Sequence, residues 1–141
     1  MNNCKSQLAF LKMIALSIFL FRAHCSADAQ SSKWSVPKSA VSVKNPVARD
    51  AASVKNGKTI YLASCAPCHG NGGKGDGPAS ASLNPKPADH TSAAVQAQSD
   101  GTMFYEITAG HAHTAMPPFK AALTTDHRWA VINYIRTLAK K

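Results

Sequence analysis

Two thiols and an imidazole stand within five consecutive residues, Cys65-Ala66-Pro67-Cys68-His69. Cysteines three residues apart on one helical turn present their sulfurs to the same side. Each thiol can add across one vinyl group at the edge of a porphyrin. The histidine that follows is then held where a ring nitrogen can ligate the iron. This pentad is the attachment signature of c-type haem, so the chain is expected to carry one covalent haem c, and its iron, through Cys65 and Cys68, with His69 as one axial ligand. Other uses of the pair fit less well. A tetrahedral zinc site needs four ligands. No second CxxC exists, and His90, His111, His113 and His127 would complete such a site only in an unusual arrangement. A thioredoxin-like pair expects a strand before it, within alternating strands and helices. A plain disulfide across two residues is the remaining alternative.

A six-coordinate iron needs a ligand on its other face. Met116 is the first choice, within Thr114-Ala115-Met116-Pro117-Pro118-Phe119. A thioether is a neutral, soft ligand, and His/Met ligation raises the reduction potential. Pro117 biases Met116 towards an extended backbone, and Pro118 does the same to Pro117. Such a stiff loop can hold a sulfur in place. The rivals are His111, His113 and Met103, of which Met103 reads as helix core.

Three helical segments can position these groups. The first runs from a cap at Ser53 through Ser64, with Val54, Gly57, Ile60 and Tyr61 at three- and four-residue steps. A glycine inside a helix costs about 1 kcal/mol against alanine, so Gly57 predicts a close packing contact. The second covers about Gly101 to Ala109, with Asp100 at its start, Gly110 at its end, and Met103, Phe104 and Ile107 on one face. The third covers about Thr125 to Lys140, capped by Thr124 or Thr125, with Trp129, Ile132, Ile135 or Arg136, and Leu138 tracing its buried face. A short fourth helix near Thr91 to Gln98 is a weaker reading. No alternating strand pattern of useful length appears, so the expected class is all-α. The loop from Gly70 to Pro78 is rich in glycine but lacks the Gly-Lys-Ser/Thr of a phosphate-binding loop.

The first 29 residues read as a signal peptide. Lys5 and Lys12 precede an apolar run nine residues long, Met13 to Phe21, interrupted only by Ser17, and Ala27-Asp28-Ala29 is a small-x-small cleavage pattern. The apolar run is shorter than the roughly 20 residues a bilayer span needs. The alternatives are an uncleaved N-terminal anchor and a lipid at Cys25, whose preceding residues do not fit a lipoprotein box. Export would place the protein in a bacterial periplasm, or facing it from an anchor. Residues 30–50 show no helical or strand period. They carry Lys33, Lys38, Lys44 and Arg49, with no acid through Arg49, and read as a flexible basic tail or a docking arm. Residues 51–141 are then the folded domain. A core of that size is marginal alone, and a buried haem would supply a large apolar body to pack on.

The net charge of +9 is spread thinly over a chain in which 16% of residues are charged. Aromatics do not interleave with basic clusters, and no nucleic-acid motif is present.

Taken together, the pentad, Gly57 and Tyr61 before it, Gly70 and Gly75-Asp76-Gly77-Pro78 after it, Met116-Pro117-Pro118-Phe119, and Trp129 to Leu138 resemble a class I cytochrome c over about residues 46 to 139. The resemblance is nearest to the small bacterial monohaem type, similar to the cytochrome c domain of cbb3-type oxidase subunits. It implies an all-α fold of three to five helices around one covalent haem, with the N- and C-terminal helices crossing. Gly57 would let the last helix approach, and Tyr61 would pack near Trp129 or Tyr134, with Tyr61 and Trp129 lining the cofactor's surroundings. A proline carbonyl after the pentad would accept a hydrogen bond from the His69 ring. Pro78 is the matching position, with Pro85 and Pro87 as alternatives.

With both axial positions filled, the iron offers no site to a substrate. The expected function is therefore one-electron transfer between larger redox proteins of a respiratory or periplasmic dehydrogenase chain, by a monomer that is not itself an enzyme. Lys74, Lys86 and Lys120 would steer an acidic docking surface on such a partner. Membrane contact would come only through a membrane-bound partner or an uncleaved N-terminus. The alternatives are a haem subunit of a permanent oxidoreductase complex, and a small peroxidase or gas-binding protein if Met116 is labile.

Overall fold

The computed structural model describes residues 35–140. The signal-peptide reading, on residues 1–29, lies outside the described residues. Six α-helical segments follow in order: α1 (Lys38–Val41), α2 (Ala51–Ser64), α3 (Ala66–His69), α4 (Ala93–Gln96), α5 (Asp100–Ala109) and α6 (Thr125–Thr137), with a 3-10 turn at Pro78–Ser82 after α3. Among the described residues there is no strand. The all-α class is correct; the short fourth helix read near Thr91 to Gln98 is present as α4, and two further single-turn helices, α1 and α3, join the three long ones.

The caps explain where the long helices begin. Asp50, not Ser53, opens α2: its carboxylate accepts the Ser53 N–H at 2.8 Å. Ser53 is then the third residue of the helix, and its hydroxyl donates to the Ala48 carbonyl at 2.6 Å. Ser99 caps α5 through the Thr102 N–H, and Thr124 caps α6 through the His127 N–H. Each cap satisfies one of the backbone donors that a helix start leaves without a partner.

α2 and α6 pack on each other and hold the centre of the core. Tyr61, Val131 and Ile132 are fully enclosed, joined by Met103 and Ile107 of α5 and by Trp129, Tyr134 and Ile135 of α6. Each such apolar side chain contributes roughly 1.5–3 kcal/mol by leaving water. Tyr61 meets Tyr134 edge to face with ring centroids 5.1 Å apart. Trp129 instead stacks on Phe104, at 3.9 Å, and the Arg128 guanidinium lies over the same Phe104 ring. Of the two partners expected for Tyr61, Tyr134 is the one it meets.

The described part of the basic tail, residues 35–50, is docked rather than free. The Ser99 hydroxyl donates to the Val41 carbonyl at 2.8 Å. Asn45 donates to the Asn133 side chain at 2.9 Å, and Asn133 donates to the carbonyls of Val47 and Ala48. Asn133 is only 3% exposed on α6. A segment with no periodicity of its own is held because a distant helix satisfies its backbone.

Candidate functional site

The pentad forms one tight turn. Cys65 ends α2, Ala66 begins α3, and the N–H groups of Cys68 and His69 both donate to the Cys65 carbonyl. The two half-buried cysteines are free thiols. Burial, with Cys68 beside it, pushes the Cys65 thiol up to about 12, so its sulfur keeps its proton.

The glycine-rich loop closes this turn. The N–H groups of Gly73, Gly75 and Gly77 donate to the carbonyls of Gly70, His69 and Cys68. The carbonyls left open at the end of α3 thus find partners in the loop. Gly75 adopts a φ of +75°, and a side-chain carbon there would lie 2.4 Å from the Pro87 carbonyl oxygen. That absence lets residues 87–90 cross the pentad, and the His90 N–H donates back to the Gly73 carbonyl.

The crossing decides how His69 is held. Its Nδ1 lies 3.0 Å from the Ala88 carbonyl oxygen. A carbonyl only accepts, so Nδ1 carries the proton and Nε2 is left with its lone pair for a metal. Burial, opposed by the Ala88 bond, holds His69 below the usual histidine range, which favours the neutral ring that ligates. The expected acceptor, Pro78, is corrected to Ala88. Pro78 begins an exposed 3-10 turn, whereas the chain meets the His69 ring only after Pro87.

His90 completes this side. Its ring stacks on His69 with centroids 4.0 Å apart and planes 17° from parallel. Its Nδ1 is 3.0 Å from the Tyr61 hydroxyl, which also reaches the Gly70 carbonyl at 3.3 Å. All donors are used if Tyr61 donates to Gly70 and His90 donates to Tyr61. Burial first, and then the neighbouring His69, push His90 down to about 3, so two neutral rings face each other. No pattern in the sequence singles out Ala88 or His90.

Met116 is half-buried and packs, like Cys65, against the central core. Its carbonyl accepts the His111 N–H at 3.0 Å, and its own N–H donates to the Thr114 hydroxyl at 3.2 Å. The Phe119 N–H then ties the loop to the Ile107 carbonyl at the end of α5. Among the rivals, Met103 is core, at 3% exposure, and His113 is exposed with a left-handed φ of 62°. Lys74, Lys86 and Lys120 are all exposed, and the Lys86 ammonium donates to the carbonyls of Ser80 and Ala81.

The residues present fit a covalent haem c. Two free thiols share one turn, one imidazole has its far nitrogen committed to a carbonyl, and a thioether sits on a backbone pinned at both its N–H and C=O. Among the described residues no three of His, Cys, Asp and Glu gather as a metal cluster, so the zinc alternative finds no support there.

The family model described as Cytochrome c matches residues 54–139. No curated protein matches the chain. Among solved structures, a chain of the reducing HAO-like protein complex of Kuenenia stuttgartiensis is similar, at 29% identity and a TM-score of 0.63. The match covers 70% of this chain and 50% of that one, so the similarity spans half the length of the solved chain.

Proposed function

Because this chain belongs to the cytochrome c family, we propose that it carries single electrons between larger redox proteins, with His69 and Met116 as the axial ligands of its haem iron. The family brings electron transfer and a covalent haem c. When bound, the haem supplies a one-electron ferrous/ferric couple. Cys65 and Cys68 would hold it through two thioether bonds, the attachment chemistry that a CxxCH pair serves.

The observation that carries the ligand assignment is the 3.0 Å bond from His69 Nδ1 to the Ala88 carbonyl. It commits one nitrogen and orients the other, as metal-bound histidines require. Met116 is supported by a backbone anchored at both its carbonyl and its N–H, and by its packing against the central core. A neutral thioether favours the ferrous state and so raises the potential. Lys74 and Lys120 would draw an acidic partner, with an association rate that falls as salt rises. Export to the periplasm, as a monomer, is part of the same proposal.

Visible spectroscopy and haem-stained denaturing electrophoresis test it. Stain that survives denaturation supports the thioethers, and stain lost with the haem overturns them. The ferric protein should show a sulfur-to-iron charge-transfer band that Met116→His abolishes while lowering the potential. A band unchanged by that substitution overturns Met116.

A second reading, a haem subunit within a stable oxidoreductase assembly, draws support from the similarity to a chain of a multi-subunit complex. Purification from native membranes or extracts separates the two, since a shuttle elutes alone and a subunit elutes with a larger chain.

A further inference from the structure

We propose that His90 is a positioning residue that fixes the plane of the His69 imidazole. The inference rests on the reading of His69 as an axial ligand. One hydrogen bond, to Ala88, sets which His69 nitrogen carries the proton and anchors the ring at one point. It does not by itself set the ring plane. A flat neighbour lying face-on does, and the His90 ring lies 4.0 Å from His69 and 17° from parallel.

A clamp must itself be rigid, and His90 is held on three sides. Its N–H donates to the Gly73 carbonyl at 2.6 Å. Its carbonyl accepts from the Gln96 side chain at 2.6 Å, and the same Gln96 nitrogen reaches the Ile135 carbonyl of α6 at 3.0 Å. Its Nδ1 meets the hydroxyl of Tyr61, a side chain with no exposed surface. The loop and α4 therefore fix the His90 backbone, with α4 tied in turn to α6, and α2 fixes its ring, whose face is spent on His69. The same contacts hold the 87–90 segment that brings the Ala88 carbonyl to His69, and the stack adds a second restraint, on the plane of the ring.

The orientation of an axial imidazole shapes the electronic structure of the iron it ligates, as partners of metal-bound histidines do generally. The effect is therefore read on the ferric haem protein, by electron paramagnetic resonance and by the proton shifts of the haem methyl groups. In the wild-type protein a low-spin signal with narrow lines is expected. His90→Ala should shift and broaden the largest g-value and change the spread of the methyl shifts. His90→Phe keeps a flat face and should restore wild-type values. His90→Leu fills the volume without a flat face and should behave as the alanine variant does, which keeps the test decisive if the alanine protein does not fold. Tyr61→Phe leaves the stack and should give a smaller change of the same sense. Wild-type g-values in His90→Ala or His90→Leu would overturn the proposal, as would phenylalanine and leucine variants that agree with each other and differ from wild type. A wild-type protein without a low-spin ferric signal would instead overturn the ligand assignment itself.

Discussion

Gly57 of α2 lies so close to Ala130 of α6 that a side-chain carbon at Gly57 would sit 1.9 Å from the Ala130 carbonyl oxygen and 3.1 Å from Tyr134 Cβ. The obstacle is backbone, which cannot swing aside as a side chain can. Gly57→Ala should therefore destabilise the protein by about 3 kcal/mol, at the upper end of overpacking costs, despite alanine's better helix propensity. Urea denaturation of the haem-loaded protein checks this. A midpoint equal to or above wild type would mean that the two helices do not meet at Gly57.

Asn133 ties the N-terminal segment to α6. Its amide nitrogen donates to Val47 and Ala48 carbonyls at 3.1 and 3.2 Å, and its oxygen accepts from Asn45. Asn133→Asp keeps the shape but turns a donor into a charge that faces carbonyls. It should cost about 3 kcal/mol and expose Lys38, Lys44 and Arg49 to trypsin. Protease resistance equal to wild type would show that the segment is held by something else.

Arg136 joins α6 to the start of α5. It donates to Asp100 at 2.9 and 2.6 Å and to the carbonyls of Gln96 and Gln98 at 2.8 and 2.6 Å. The arginine side chain is 12% exposed and its acid partner 34%, so this pair is stronger than a surface pair and weaker than a fully buried one. Arg136→Met should cost about 2 kcal/mol. Arg136→Lys should recover less than half, because an ammonium cannot span the carboxylate and both carbonyls. Full recovery by lysine would reduce the interaction to charge alone.

Glu106 gives stability a pH dependence. Burial, opposed by the Gln98 hydrogen bond, pushes its carboxyl up from 4.5 to about 7. The folded state therefore binds the proton more tightly than the unfolded chain. This contribution is full below about pH 4.5 and is lost as pH rises through about 7. After allowance for the group's partial exposure, the loss is about 1 kcal/mol. Glu106→Gln should flatten the urea midpoint between pH 5 and about 8. An unchanged slope would assign the dependence to another group.

The residues that do the chemistry were legible because their reactivity depends on local spacing. Cys65, Cys68 and His69 lie on one turn, and a turn is a property of neighbouring residues. The three long helices were legible for a related reason: apolar steps of three and four need no knowledge of the rest of the chain. Their caps were less so. Ser53 has the right side chain to open α2, yet Asp50 does it, since the choice depends on which oxygen reaches which N–H. The docked segment at residues 38–50 left no trace, because its order comes from Asn133, more than eighty positions away.

The same division runs through the haem site. By itself the sequence determined that two thiols and an imidazole share a turn, and that a methionine sits in a proline-stiffened loop. Only the tertiary structure decided that Ala88 and not Pro78 accepts from His69, that His90 lies flat on it, and that Tyr61 backs His90. Those three contacts need residues 87–90 to cross the pentad, and the crossing depends on a gap left by Gly75 and on a buried hydroxyl from α2. Covalent spacing is written along the chain, whereas the support of a ligand ring is set by segments that meet only after folding.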